Sequence, residues 1–361
     1  MTGPLRAPDG SRPTVSVVVC AYTERRWGDL LAAVGSVVGQ LRAGDECILV
    51  IDHNENLWRR AASRFADEPA VRVLAGDQAP GLSGARNTGV LSSTGDVIAF
   101  LDDDAVAGPD WLSHTLAGFA DPAVAGVGVT AVPRWPVGGR PDWFPPEYDW
   151  VVGCSYQGLP RQDAPVRNLI GVAMAFRRDV FAEAGLFSGA VGRVGTTPLG
   201  CEETELCIRL RQVRPGARLL YRPGAVVEHR VSPERTTVRY FLRRCFGEGV
   251  SKARVARLVG PADGLESERD YVRRTLPRAA GRELARAARG RAAGAGAFTM
   301  IGMGVAAAGL GYLREKARYP RSPVPPARHQ GEQSRGRPHP RPAVPRRRAG
   351  HADESLADQR R

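Results

Sequence analysis

Residues 96–104 read Asp-Val-Ile-Ala-Phe-Leu-Asp-Asp-Asp. The apolar run Asp96–Leu101 (DVIAFL) has the length of a strand, and its lack of alternation is that of a strand buried on both faces. Three carboxylates follow without a spacer. Adjacent carboxylates repel one another, so Asp102, Asp103 and Asp104 at a strand end are costly unless a cation compensates them, and hard oxygen ligands suit Mg2+ or Mn2+. A divalent ion held by so few protein ligands completes its shell with phosphate oxygens, which points to a nucleoside diphosphate. The same cluster also reads as a solvated acidic turn capping the helix that Pro109 opens.

Upstream, three more apolar runs have strand length: Thr14–Cys20 (TVSVVVC), Cys47–Asp52 (CILVID) and Val71–Ala75. Between them the spacing predicts helices over Gly28–Gln40, Leu57–Phe65 and Gly84–Leu91. Strands alternating with helices predict an α/β, Rossmann-like, parallel doubly wound sheet, with ligands beyond the carboxyl ends of its strands. Those ends are the turn after Cys20, the Asp52 region and the acidic cluster. Downstream, the aromatic and proline-rich segment Pro133–Tyr156 reads as an ordered loop region over the sheet. A strand at Gly171–Phe176, a helix at Asp179–Ala184, a glycine-rich loop at Ser188–Gly200, a helix at Glu203–Val213 and strands at Arg218–Tyr221 and Ala225–His229 complete the body. Residues 236–319 read as a helical basic extension, and from Pro320 the composition is that of a disordered tail. The expected organisation is a flexible 1–13, a body over 14–235, the extension, and the tail at 320–361.

The formal charge of +13 over 361 residues is unevenly spread. Residues 1–238 hold 24 Lys/Arg against 27 Asp/Glu, a net of −3, and residues 239–361 hold 27 against 11, a net of +16. A polyanionic partner is therefore expected at the C-terminal end. The six cysteines form no zinc-type spacing and are read as reduced thiols. The N-terminal MTGPLRAPDGSRP lacks a signal peptide's apolar run, so the body is expected to be cytoplasmic. Ala292–Leu313 is an uncharged stretch of 22 residues, 13 of them Gly or Ala. It is long enough to cross a bilayer, but reads equally as a small-residue helix packed on protein or lying in a membrane interface.

Two further motifs bear on chemistry. Gly81-Leu82-Ser83-Gly84-Ala85-Arg86-Asn87-Thr88-Gly89 is a glycine-rich turn entering a helix, where backbone N–H groups and an arginine fork could hold phosphate or ribose oxygens, or where a plain loop carries an exposed Arg. Glu202-Glu203-Thr204-Glu205 opens a helix after a run of glycines. Paired carboxylates can supply a general base, and acidic residues in a first turn also simply favour the helix dipole.

In this order these features resemble the family 2 glycosyltransferases, inverting enzymes with a GT-A fold and its mixed sheet, over roughly Val15–Lys252. The family's G-x-x-x-A-R-N-x-G segment matches Gly81–Gly89, its D-x-D site matches Asp102 and Asp104, and its acceptor-side strand and helix match residues 171–187. Its E-D-x-E-L-C-x-R helix matches Glu202–Arg209, and its later histidine matches His229. Two departures stand out: Asp52-His53-Asn54-Glu55 replaces the frequent D-D-G-S, and Glu203 stands where an aspartate base is expected.

The resemblance implies that Ala21, Tyr22, Glu24, Asp52, Arg86, Asn87, Asp102 and Asp103 contact a nucleotide-sugar donor. It implies that Asp102, Asp104 and His229 hold Mg2+ or Mn2+, and that Glu203, or its neighbour Glu202, deprotonates a hydroxyl acceptor on a glycan or lipid-linked sugar. Arg243 and Arg244 are read as a phosphate site, or as a solvated basic helix. Arg278, Arg282, Arg286 and Arg289 repeat at about one helical turn, which suits anionic lipid headgroups and a peripheral place on the cytoplasmic face of a membrane. The alternatives are a sugar nucleotidyltransferase, for which CAYTERRWGDL lacks the glycine-rich triphosphate loop, and a basic nucleic-acid-binding protein, against which the carboxylate-rich body argues.

Overall fold

The computed structural model describes residues 12–192, 199–260 and 265–319. The expectations for the first residues, for the middle of the glycine-rich loop and for the 320–361 tail lie outside the described residues. Four strands, β1 (Val15–Ala21), β2 (Glu46–Ile51), β3 (Val71–Ala75) and β4 (Val97–Asp102), run parallel in the order β3-β2-β1-β4. Cys20 lies beside Asp102, and Ala21 beside Ile51, so the carboxyl ends of β1, β2 and β4 finish level and bring Tyr22, Asp52 and Asp102 to one edge.

Beyond β4 the sheet becomes mixed. β5 (Ala105–Ala107), β6 (Val124–Arg134), β7 (Ala164–Pro165), β8 (Ala173–Arg177) and β9 (Arg218–Arg230) follow in sequence. β8 runs antiparallel to β4 and β6, β9 runs parallel to β6, and the full order is β3-β2-β1-β4-β8-β6-β9-β5, with β7 on β9. The sheet is thus a mixed α/β sheet of the GT-A kind.

Side-chain alternation along β1 explains the layers. Val15, Val17 and Val19 face α1 (Trp27–Val38) through Leu30, Val34 and Val37. Val18 faces the other way, into a cluster with Ile48, Ile98, Phe100 and Leu206, under α3 (Leu82–Ser92), α5 (Asp179–Glu183) and α6 (Glu202–Val213). Burying each such branched or aromatic side chain stabilises the fold by roughly 1.5–3 kcal/mol. The remaining helices of the body are α2 (Glu55–Arg64) and α4 (Trp111–Ala117).

Three elements depart from the sequence reading. β6 occupies a stretch to which the sequence reading gives no element. β5 forms in the turn directly after the acidic cluster. The two expected strands at 218–229 are one: the β6–β9 register jumps between Val129↔Arg222 and Thr130↔Val226, so the intervening residues bulge and the strand continues past Pro223 and Gly224. This matters for the site, because Ala105 of β5 then pairs with His229 of β9 and sets the imidazole beside Asp104.

The aromatic segment is ordered, as expected, but mostly as core. Phe144 is buried and makes edge contacts with Trp135 and Phe241, and Trp143 packs on the same Phe241. The C-terminal extension is helical: α7 (Val238–Val259), α8 (Glu266–Asp270), α9 (Leu276–Ala288) and α10 (Ala292–Arg318). α10 is long and apolar enough to cross a membrane by length and composition. One of its faces packs on α7 at backbone contact: a Cβ on Gly249 would lie 1.9 Å from the Ala308 carbonyl oxygen, and one on Gly311 would lie 2.1 Å from that of Phe246. The opposite face presents Phe298, Met303, Val305, Leu310 and Leu313 exposed. The arginine stripe of α9 is not a free face: Arg282 pairs with the buried Glu147 and Glu283, and Arg286 with Glu283. Burying those two acids requires cations beside them, which draws half of the stripe inward.

Candidate active site

A cavity of about 970 Å³ opens at the carboxyl ends of β1, β2 and β4. Its acidic wall is the end of β4. Asp102, Asp104 and His229 each offer a ligand atom within 4.8 Å of the others. His229 Nε2 lies 3.1 Å from Asp104 Oδ1, while its Nδ1 faces Cys154 Sγ at 3.5 Å. Arg26, in the single 3-10 turn after β1, reaches Asp104 at 2.7 Å and Asp103 at 3.0 Å. Burial alone would raise the Asp104 carboxyl, but His229, Arg26 and Arg235 outweigh it and hold the group well below the usual carboxylate range. Asp103 is pushed the other way, by burial and by its two acidic neighbours, against the pull of Arg26. Its Oδ2 is buried without a hydrogen-bond partner. Two carboxylates, Asp102 and Asp104, with the imidazole of His229 fit a hard divalent ion such as Mg2+ or Mn2+.

The opposite wall is built on α3 and α6. Gly81, with φ at +118°, lets the chain turn sharply into α3, and its N–H donates to Asp52 Oδ2 at 2.9 Å. Arg86, one turn on, is 2% exposed. It donates to Glu202 at 2.8 Å, to the Gly171 carbonyl at 2.7 Å and to Asp102 at 3.2 Å, so one guanidinium ties the acidic wall to the start of α6. Glu203 then faces the cavity, and among the described residues no cation pairs with it. Burial foremost, and Glu202 beside it, push its carboxyl up to about 7, against the partial pull of Arg86. Such a group gains or loses a proton near neutrality, which is what a general base requires.

Away from the acids, the cavity continues along α7 to α10. Arg244 and Lys252 share Glu248 at 2.8 and 3.3 Å, and Lys252 also reaches Glu268 at 2.8 Å. The guanidinium of Arg244 lies 5.8 Å from the Trp150 ring centre.

Of the residues singled out in the sequence, Ala21, Tyr22, Asp52, Arg86, Asp102, Asp103, Asp104, Glu202, Glu203, His229 and Arg244 line this cavity. Three do not. Glu24 lies exposed on the 3-10 turn, which presents Arg26 inward instead. Asn87 is used structurally, exchanging two hydrogen bonds with the backbone of Phe187. Arg243 is exposed, because its direction on α7 is about 100° from that of Arg244. Within the aromatic segment, Tyr148 and Trp150 reach the cavity, while Trp135, Trp143 and Phe144 do not line it. Arg26, Arg167, Arg235 and Lys252 line it without having been singled out. The Arg25-Arg26 pair directly after β1 was the available signal for the first.

Residues 16–185 match the glycosyl transferase family 2. A glucosyl-dolichyl phosphate glucuronosyltransferase of Haloferax volcanii is 37% identical over 248 residues, 68% of this chain and 78% of its own length. A pre-mycofactocin glycosyltransferase of Mycobacterium tuberculosis is 32% identical over 186 residues, 52% of this chain, which spans only 37% of that relative. Among solved structures, the mannosyltransferase PcManGT of Pyrobaculum calidifontis, in complex with GDP-Man and Mn2+, aligns over 86% of this chain and 90% of its own at a TM-score of 0.56 and 18% identity, a likeness of fold. By its extended identity to the archaeal transferase, its family match and its GT-A sheet, the chain belongs to the family 2 glycosyltransferases.

Proposed function

We propose that this glycosyltransferase moves a sugar from a nucleoside-diphosphate sugar to a hydroxyl of a lipid-phosphate-linked sugar, in one inverting displacement assisted by a divalent ion. The observation that carries the reading is that a carboxyl group titrating near neutrality, Glu203, faces the same cavity as the Asp102, Asp104 and His229 cluster. Asp102, Asp104 and His229 would hold Mg2+ or Mn2+, whose charge offsets that of the departing diphosphate. Tyr22 and Asp52, at the ends of β1 and β2, flank the nucleoside. Asp103, paired to Arg26, completes the acidic floor. Arg86 keeps Glu202 and Asp102 in place, while Glu203 faces the cavity. Glu203 takes the acceptor hydroxyl's proton, and the freed oxygen attacks the anomeric carbon on the face opposite the leaving group. Arg244 sits where an acceptor phosphate would be drawn.

The lipid-linked acceptor is supported by the identity to the archaeal dolichyl-phosphate enzyme and by the exposed apolar face of α10. Basic residues flank that face, Arg289 and Arg291 before it and Arg314, Lys316 and Arg318 after it, a pattern suited to an anionic bilayer surface at the cytoplasmic side. In this reading 14–235 is the transferase body and 236–319 the membrane-facing extension. The test is incubation with labelled nucleotide sugars, Mn2+ and a polyprenyl-phosphate-linked sugar, followed by NMR of the new linkage. A product of inverted anomeric configuration is expected. Retention of configuration, or no transfer to any such acceptor, refutes the proposal.

A further inference from the structure

At about 970 Å³ the cavity stands at the upper end for small-molecule sites. Its residues follow one another in a definite order. Glu203 stands near Lys252, and Arg244 Nη2 lies 3.5 Å from where a Cβ on Gly200 would sit, just ahead of α6. Arg244 is in turn beside Trp150, whose indole N–H donates to Tyr271 at 3.1 Å and whose ring lies 5.7 Å from that of Tyr148. Tyr148 meets α10 at Gly304, where a Cβ would lie 2.6 Å from the phenol ring, and its hydroxyl donates to the Ile301 carbonyl at 3.0 Å. The cavity therefore runs from carboxylates, through a layer in which Arg167, Arg244 and Lys252 outnumber the Glu248 and Glu268 paired with them, into an aromatic and aliphatic slot along α10. At its far end Val305 and Leu313 line the slot and are themselves exposed, next to the outward apolar face of the same helix.

We propose that this slot, walled by Tyr148, Trp150 and Leu276 and floored by Gly304 and Gly309 of α10, binds the hydrocarbon chain of a lipid phosphate, with the phosphate seated at Arg244 and Lys252. The inference rests on the lipid-linked acceptor reading and deepens it. Three features argue for this occupant. The order of the lining, cation then aromatic then aliphatic, is the order of a phosphate and its chain. The cationic layer lies nearer the base, so the phosphate-linked sugar would extend toward Glu203. The slot's mouth is continuous with an exposed apolar helix face, so a chain can pass from bilayer to slot without crossing water. Gly309 lines the cavity and nothing lies within 4 Å of a Cβ added there, so that position faces open space.

That open space makes the test possible. Gly309→Phe should fill the slot without displacing backbone, and Val305→Trp provides a second obstruction nearer its mouth. Binding of farnesyl monophosphate to the full-length protein is measured by calorimetry for wild type and both variants, with circular-dichroism melts showing that each is folded. The expected result is saturable binding by wild type and at least tenfold weaker binding by folded Gly309→Phe and Val305→Trp. Unchanged affinity in a folded variant, or no binding by wild type, overturns the slot. Transfer assays separate this from the functional reading. A wild-type protein that binds farnesyl monophosphate in this pattern but transfers no sugar to any lipid phosphate keeps the slot and overturns the acceptor assignment. A folded Gly309→Phe protein that glycosylates long-chain acceptors as efficiently as wild type overturns the slot and keeps the assignment.

Discussion

Replacing Glu203 with glutamine should make the protein more stable and nearly inactive, and the two effects can be sized from one observation. The native carboxyl titrates near 7, against 4.5 for an unperturbed glutamate. The native state therefore holds a proton between those values that the unfolded chain has released. Stability from this group is undiminished below about pH 4.5 and is lost as pH rises through 7. The difference of 2.5 units corresponds to about 3 kcal/mol at 1.36 kcal/mol per unit. Glutamine keeps the shape of the protonated acid and cannot ionise. Urea unfolding should accordingly show Glu203→Gln about 3 kcal/mol more stable than wild type near pH 8 and equal to it near pH 4.5. Loss of a general base costs about 10²–10⁴ in rate, so labelled nucleotide-sugar transfer near pH 8 should fall by at least 100-fold. The wild-type kcat/KM should show an acid limb with an apparent pKa near 7. A variant that retains a tenth of the activity, or that gains no stability at alkaline pH, would refute the assignment of Glu203 as the base.

Two other outcomes follow from the same geometry. Arg86→Met strands the buried Glu202 carboxylate, and breaking a buried pair costs about 3–5 kcal/mol. Arg86→Met/Glu202→Gln should recover much of that loss, so a double-mutant cycle with a coupling below about 0.5 kcal/mol would contradict the pairing. Leu310→Glu/Leu313→Glu places two charges on the exposed face of α10 without touching its buried side. Wild type should float with phosphatidylglycerol vesicles and this variant should not, and equal flotation of the two would remove α10 from the membrane contact.

How far the sequence carried this picture depends on the kind of signal each element leaves. β1, β2 and β4 are legible because strands covered on both faces need continuous apolar runs. β6 is illegible for a packing reason: a Cβ on Gly126 would lie 2.9 Å from Leu219 and Phe176, and one on Gly128 would lie 3.0 Å from Leu169. Its glycines make room for neighbours, yet in sequence they read as loop. β9 is hidden by Pro223 and Gly224, which the bulge absorbs. The carboxylates of the site are legible because clustered charge at a strand end needs a reason. Their cationic counterparts are not. Arg26 and Arg243 both sit in basic pairs, and only the direction of one turn of helix decides which arginine of a pair meets the cavity. Lys252 and Glu248 lie on an amphipathic helix whose charged residues look solvated until Glu268 of α8 and Cys201 before α6 meet them.

The central claim is that the Asp102, Asp104 and His229 cluster serves sugar transfer from a nucleotide donor. Its most direct test is a panel of UDP-, GDP- and dTDP-sugars, with donor cleavage followed for wild type and Asp104→Ala in Mn2+ and after chelation. Wild type should cleave a member of the panel only with the ion present, and Asp104→Ala should be at least 100-fold slower, within the range expected when charge stabilisation at a reacting centre is lost. Cleavage by Asp104→Ala at the wild-type rate would contradict the account.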